Sequence, residues 1–351
     1  MLRHDSGSLI RFAHALLVGA GVREDIAQDV ADILVEGDLL GHTTHGLAQL
    51  PGYLSELEKG TMARDGAPSV VMSRPAAITW DGHRLPGPWL TLRALEAASA
   101  MAATQGTGTV IVRRSHHIAC LAAYLPRATE HGLMAIISCS DPSGASVAPF
   151  GAVTPVFTPN PLAAGIPTGA DPILLDISAS YTTNGLTGRL HQAGEKLPHP
   201  WLQDAQGNPS NDPAVLADTP RGTLLPLGGL EAGHKGFALA LLIEAMSSGL
   251  AGLGRADPSE GWGATVFVQV LDPAAFGGRE AFARQMSWLV DACHEARPRP
   301  GGAKVRMPGE CGLASMREQR SAGVVLHPTI MPALAQWALK LAVPVPAPLG
   351  G

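Results

Sequence analysis

Apolar residues in the first hundred positions recur at intervals of three and four, the repeat of a helix with one buried face. Leu9, Phe12, Ala13, Leu16 and Leu17 share one side of a first predicted helix, with Ser6 or Ser8 as N-cap and Gly19 or Gly21 as its stop. A second helix is predicted from near Asp25, turning Ile26, Val30, Ile33 and Leu34 inward. Leu47, Leu50, Leu54 and Leu57 predict a third, with Pro51 as a kink or a fresh start and Gly60 as its end. A fourth is expected from about Leu90 to Ala103, in an alanine-rich stretch.

The middle of the chain changes character. TVIVRR (109–114), MAIISCS (134–140), ILLDISAS (173–180) and ATVFVQVLDP (264–273) are rich in branched residues and bounded by Gly or Pro, which predicts strands. Helical stretches are expected at about 118–130 and 234–249, and Phe282, Met286, Leu289 and Val290 return to helical spacing. The last eleven residues form a Pro-rich stretch expected to be loose. No internal repeat is visible. The simplest layout is a helical domain built from both ends (1–115 and 275–340), a sheet domain at 116–274, and a tail at 341–351.

Composition narrows the classes. With 351 residues the chain is long enough for about two domains, and 46% hydrophobic against 16% charged residues predicts a well-buried globule. The 25 basic and 30 acidic residues leave a net charge of −5, which argues against nucleic acid or an anionic membrane as partner. The apolar run Phe237 to Ile243 is far short of the ~20 residues that span a bilayer. Arg11 and His14 interrupt the signal-like N-terminus. Cys120, Cys139, Cys293 and Cys311 form no CxxC pair and read as reduced thiols, so a cytoplasmic location is expected.

The candidate chemistry is scattered. GAGVRE is the nearest approach to a dinucleotide glycine fingerprint, but Glu24 replaces the third glycine and the stretch follows a helix, so it reads as a helix-to-helix turn. No Walker-type loop or GxSxG elbow is present. His42 and His45 in GHTTHG have an i, i+3 spacing that a metal could use. No HExxH pattern or nearby carboxylate completes a zinc set, and no metal is expected. His116 and His117 follow a strand, where they would point to opposite sides, so at most one should serve a site. Singly, each histidine reads as structural. Asp141 and Asp176 follow or close apolar strands, and Glu310 sits in a turn where a solvated carboxylate is the plain reading. Lys235 lies at a predicted helix start, against the helix dipole, which points equally to an anionic ligand or a salt bridge.

Seven segments, in order, resemble the malate/L-lactate dehydrogenase family that lacks a Rossmann fold, which includes ureidoglycolate dehydrogenase, diketogulonate reductase and Δ1-piperideine-2-carboxylate reductase. GHTTHGLAQLPGYL is similar to that family's GHxSHGxxRxxxYx, and RRSHHIACLAAY to its SNHFGAAGYY loop. VAPFGAVTPVFTPNPLAAGIP resembles VAPxGGxxxxxGTNPLAxAxP, and LLDISASYTTNG resembles DMATSxxxxG. LPHPWLQDAQGNPSNDP and LLPLGGLEAGHKGFALAL match PxGWAxDxxGxPTxDP and LxPLGGxxxGYKGYGLAL, and a late PGE falls at 308–310.

The resemblance implies an α/β protein with a non-Rossmann, largely antiparallel NAD(P)-binding sheet domain and a helical substrate and dimerisation domain. It implies a homodimer that moves a hydride between NAD(P)H and C2 of a 2-oxo/2-hydroxy acid. Reduction of a cyclic imino acid or biosynthetic imine is the alternative. A fold-retaining protein that binds nucleotide without turnover is a second alternative, and a metal-dependent hydrolase using the histidine pairs a third. His45 matches the family acid/base, as hydride delivery leaves a heteroatom that must gain a proton and imidazole titrates near working pH. Thr44 stands at the family serine, His117 at the histidine of SNHFG, and Asp141 at an acidic position. Asn160, Pro161, Asp176, Ser178, Ser180, Lys235, Gly236 and Glu310 fall in cofactor-region motifs, with Lys235 placed to answer a diphosphate. Tyr53 is retained on the substrate side, but Gln49 replaces the carboxylate-clamping arginine, which removes a bidentate charged donor. His116 replaces Asn, Pro159 interrupts GTNP, His234 replaces Tyr, and Leu186 replaces a lysine after DMATS, so the resemblance implies an atypical substrate.

Overall fold

The computed structural model of the chain describes residues 2–258 and 261–350. The described residues divide into two compact units, one made of Met1–Ile137, Ala163–Asp176 and Val268–Gly351, the other of Ser138–Leu162 and Ile177–Phe267.

The first unit opens with the helices that the apolar spacing predicts. Ser6–Gly19 is capped not by a serine but by Asp5, whose carboxylate accepts the Ser8 N–H at 2.7 Å. Glu24–Leu39 follows, with Ile26, Val30, Ile33 and Leu34 on its buried side. The third helix starts later than the leucine spacing predicts. Leu47–Gln49 is a 3₁₀ turn and the α-helix runs Leu50–Lys59, with Pro51 in the first turn, where a missing N–H costs nothing. Gly60, at φ +74°, ends it in the left-handed conformation glycine adopts without penalty. The fourth helix is longer than expected, Gly87–Gln105. The predicted helix at 118–130 is instead a 3₁₀ turn, Leu121–Tyr124, and one turn at Pro126–Thr129, because Pro126 has no N–H to continue the ladder.

Seven strands form one mixed sheet in the spatial order Ser69–Arg74, Ala77–Asp81, Thr107–Ser115, Ala264–Leu271, Met134–Ser140, Pro161–Ile166 and Ile173–Ser178. Ser69–Arg74 pairs antiparallel with Ala77–Asp81, which in turn runs parallel to Thr107–Ser115, with Ile78 opposite Val110 and Trp80 opposite Val112. The hairpin at 69–81 and the strand Pro161–Ile166 carry no strand signal in the sequence reading. Ser69–Arg74 is exposed along its whole length, so it lacks the alternation that marks a half-buried strand. Asp81, at the end of its strand, accepts from Arg113 Nε at 3.0 Å and Arg114 Nε at 2.9 Å.

Leu9, Leu16, Ile26, Ile33, Leu34, Leu50, Leu54 and Leu57 are fully buried in the first unit. The late helix Arg279–Glu295 has the predicted spacing but buries none of its side chains; Leu289 is exposed. Residues 343–350 have no regular structure, and the Leu349 N–H donates to the Arg3 carbonyl at 2.7 Å.

The second unit packs Val147, Phe157, Ala179, Leu197, Leu202, Leu224, Ala240 and Ile243 together. Three short antiparallel strands, Thr223–Leu224, Leu202–Gln203 and Pro209–Ser210, and the helices Asn184–Ala193 and His234–Glu244 surround that core. Among the described residues, no helix is long and apolar enough to cross a membrane.

Candidate active site

In the first unit, two loops bring four polar side chains together. One loop follows the helix Glu24–Leu39 and carries Thr44 and His45. It is pinned by Asp38, a wholly buried carboxylate that accepts the Leu47 N–H at 2.7 Å. Gly46 makes that contact possible, since a Cβ there would sit 2.4 Å from the Asp38 carboxyl carbon. The other loop follows the strand Thr107–Ser115 and carries His116 and His117. It lies against the start of the helix Gly87–Gln105, where a Cβ on Gly87 would meet the carbonyl oxygens of His116 and His117 at 2.3 Å each. Ala119 in this loop is left-handed, at φ +58°, where the resembled motif has glycine.

The imidazoles of His45 and His117 stack with centroids 5.9 Å apart. Thr44 Oγ1 lies 2.8 Å from His45 Nδ1. Tyr53, a buried residue of the third helix, places its hydroxyl 2.8 Å from His117 Nδ1, and the Ala119 N–H donates to the same nitrogen at 3.3 Å. A backbone N–H can only donate, so His117 Nδ1 is the acceptor and the neutral ring carries its proton on Nε2. Burial holds His117 well below the ordinary histidine value, and the neighbouring imidazoles of His45 and His116 push it further down. Burial likewise lowers His116 to about 4, and its ring meets that of Tyr53 edge-on. Gln49 turns its amide back to the Thr44 carbonyl at 2.7 Å.

The cofactor-region residues divide between the two units. In the second, Asn160 is buried and left-handed at φ +45°. Its amide donates to Glu244 at 2.9 Å, and Glu244 also accepts from Ser140 Oγ at 2.7 Å and Arg255 Nε at 2.8 Å. Pro161 begins a strand and Ser178 ends one, while Ser180 is buried and donates to the Thr182 carbonyl at 2.7 Å. Asp141 accepts from the Ser143 N–H and hydroxyl, and burial raises its carboxyl above the usual range. Lys235 is exposed in the first turn of the helix His234–Glu244, without an ion-pair partner among the described residues. Gly236 beside it has no room for a side chain, because a Cβ would fall 2.3 Å from the Leu227 nitrogen and 2.7 Å from the Ala179 oxygen.

Asp176 and Glu310 belong to the first unit. Asp176 accepts the Ala122 N–H at 2.9 Å and lies 3.8 Å from the Cys120 sulfur; Glu310 pairs with His294 at 2.5 Å. The sequence reading misses Asp38, Gly87, Glu244 and Arg255. Glu244 alone carries a signal, as a carboxylate closing the apolar run FALALLI. The roles of the other three exist only through contacts that the fold makes.

A donor for a tautomer-fixed histidine, a second imidazole beside it and a partnerless lysine at a helix start are suited to acid/base work and to an anionic ligand. Comparison with known proteins gives these features a context. Residues 5–335 match the family model described as malate/L-lactate dehydrogenase. The chain is 31% identical to an L-lactate dehydrogenase of Cupriavidus necator over 343 residues, covering 96% of this chain and 97% of that one. Among solved structures, malate dehydrogenase from Pyrococcus horikoshii superposes with a TM-score of 0.88 at 26% identity, covering 98% and 96% of the two chains. The Δ1-piperideine-2-carboxylate reductase of Pseudomonas syringae superposes at 0.83 with 27% identity, covering 96% and 100%. The protein is therefore an oxidoreductase-type chain that belongs to the malate/L-lactate dehydrogenase family.

Proposed function

We propose that the protein is an NAD(P)-dependent dehydrogenase acting at C2 of a 2-oxo/2-hydroxy acid, with His45 as the group that gives or takes the proton. The observation that carries this reading is the His45–His117 pair, with one imidazole held by Thr44 and the other fixed as an Nε2–H donor by the Ala119 N–H, with the Tyr53 hydroxyl beside it. Bound nicotinamide supplies or accepts the hydride. Reduction leaves an oxygen that must gain a proton, and His45 supplies it through Nε2, since Nδ1 is engaged by Thr44. His117, neutral at working pH, donates from Nε2 to a substrate oxygen, and Tyr53 keeps the ring in place. Gln49 lines the substrate side in place of a clamping arginine.

The residues of the second unit fit a dinucleotide. Lys235 is an exposed cation on a helix N-terminal turn, a combination suited to diphosphate. Gly236 keeps that turn flush with the Leu227 backbone, and Glu244 holds Asn160 of the same region. Pro161, Ser178 and Ser180 are assigned to the same region, with Asp141 as a further active-site acid. Asp176 and Glu310 are assigned to the cofactor by their motifs alone. We further propose a cytoplasmic homodimer, for which light scattering should give twice the 36.3 kDa chain mass.

Reduction of a cyclic imino acid is the second reading, supported by the likeness to the Δ1-piperideine-2-carboxylate reductase; Gln49 does not discriminate, since such an acid carries the same carboxylate as a 2-oxo acid. One experiment decides between them. Purified protein is mixed with NADH or NADPH and a panel of 2-oxo acids and cyclic imino acids, and followed by loss of nicotinamide absorbance. The 2-oxo acids are expected to turn over fastest. Faster turnover of the imino acids would transfer the assignment to C=N reduction. Cofactor binding without any turnover would leave a nucleotide-binding protein and reject both.

A further inference from the structure

We propose that His42, Cys120 and Asp176 form a site for a divalent transition ion of the zinc class, beside the loops that carry the histidine pair. A ring nitrogen of His42, the Cys120 sulfur and a carboxylate oxygen of Asp176 all lie within 4.8 Å of one another. The sulfur and the nearer Asp176 oxygen are 3.8 Å apart. With metal–ligand bonds of 2.0–2.3 Å, the donor atoms of a tetrahedral zinc site stand roughly 3.3–3.8 Å apart. The three groups therefore need to close by about 1.5 Å at most.

Three separate elements of the first unit deliver them, and each backbone is held. His42 follows the helix Glu24–Leu39, and its N–H is bound to the Gly37 carbonyl at 2.9 Å. Gly37 also backs Cys120, since a Cβ there would lie 3.2 Å from the Cys120 Cβ. Cys120 caps the 3₁₀ turn Leu121–Tyr124, and Asp176 lies on the strand Ile173–Ser178. Among the described residues, this is the one group of three such side chains with ligating atoms this close.

The charges favour a cation. Cys120 is buried, with the Asp176 carboxylate beside its sulfur. In the bound state a thiolate, a carboxylate and a neutral imidazole sum to −2, which a divalent ion neutralises. Binding releases the thiol proton to solvent as the sulfur–metal bond forms. The sulfur donor disfavours magnesium and calcium and suits zinc or cobalt, with one coordination position left for water. His42 lies three residues before His45 and Cys120 three after His117, so the ion would tie together the two loops that carry the histidine pair.

Cobalt(II) reports on such a site directly. Chelator-treated protein titrated with Co²⁺ should bind one equivalent, with a near-ultraviolet thiolate-to-cobalt absorption and the visible bands of tetrahedral cobalt, and Zn²⁺ should displace it. Cys120→Ser should abolish the near-ultraviolet band, and His42→Ala should weaken Co²⁺ binding at least tenfold. A triple Cys139→Ser/Cys293→Ser/Cys311→Ser variant should keep the band. Absence of the band in the wild type, its survival in Cys120→Ser, or its loss in the triple variant would overturn the site. If Cys120→Ser does not fold by circular dichroism, His42→Ala decides, and unchanged Co²⁺ affinity there overturns the proposal.

Discussion

The two imidazoles at 5.9 Å are set apart by their hydrogen bonds rather than by their chemistry. His117 Nδ1 accepts the Ala119 N–H, which makes the neutral ring a donor through Nε2, whereas His45 has a hydroxyl, able to give or take, as its partner on Nδ1. His45→Ala should therefore keep nicotinamide-cofactor affinity and lose two to four orders of magnitude in kcat, the range of a general acid. A turnover near wild type would remove His45 from the chemistry. Gln49 tests the substrate instead of the proton. An arginine there would restore a planar, permanently charged fork, so Gln49→Arg should lower KM for small 2-oxo acids about tenfold, with a smaller effect on kcat. An unchanged KM would mean that the Thr44 carbonyl, which Gln49 holds at 2.7 Å, matters more than the substrate's carboxylate.

At the level of elements, the sequence was legible wherever burial left a period. Leu9, Phe12, Leu16, Ile26, Ile33 and Leu34 announce their helices because each has one dry side. The strand Ser69–Arg74 has no dry side and so is silent, and the helix Arg279–Glu295 shows the reverse, an apolar spacing that leaves Phe282, Met286 and Val290 half-buried and Leu289 exposed. The histidines, Thr44 and Lys235 could be picked out because motifs carry them. What holds them could not, because Gly87 is an unremarkable helix-start glycine until the fold sets two carbonyl oxygens where its side chain would be. Gly87→Ala should cost about 1–3 kcal/mol of stability through forced displacement of that loop. It should also lower kcat/KM well beyond the stability loss, since small misplacements of catalytic groups are expensive. Thermal melting and initial rates on the same sample check both, and a variant with wild-type rates would mean the helix start does not position His117.

For the molecule as a whole, the buried histidines set its response to acid. His116 titrates near 4 in the fold against 6.5 when free. Above pH 6.5 neither state is protonated and the group contributes no pH dependence. Between 6.5 and about 4 the unfolded chain takes up a proton that the folded chain does not, so stability falls by about 3 kcal/mol across that window. His117, also lowered, steepens the same fall. His116→Asn should reduce the proton uptake on unfolding by about one and flatten the decline in melting temperature between pH 6.5 and 4. An unchanged slope would place the acid sensitivity elsewhere.

The route of the chain through its two units limits how such a protein can be taken apart. The polypeptide leaves the first unit at Ile137, returns for only the fourteen residues Ala163–Asp176, leaves again, and comes back for good at Val268. Any continuous piece of gene that encodes all of the second unit also carries that short insert, stripped of the strands and helices it was made to pack with. Residues 138–267 expressed alone should accordingly be recovered as aggregate or as a species with fast amide exchange, and a well-dispersed, protected spectrum would refute this. For recombination and for engineering alike, a swap of binding specificity in this chain must be done by substitution in place, because there is no seam along which to cut.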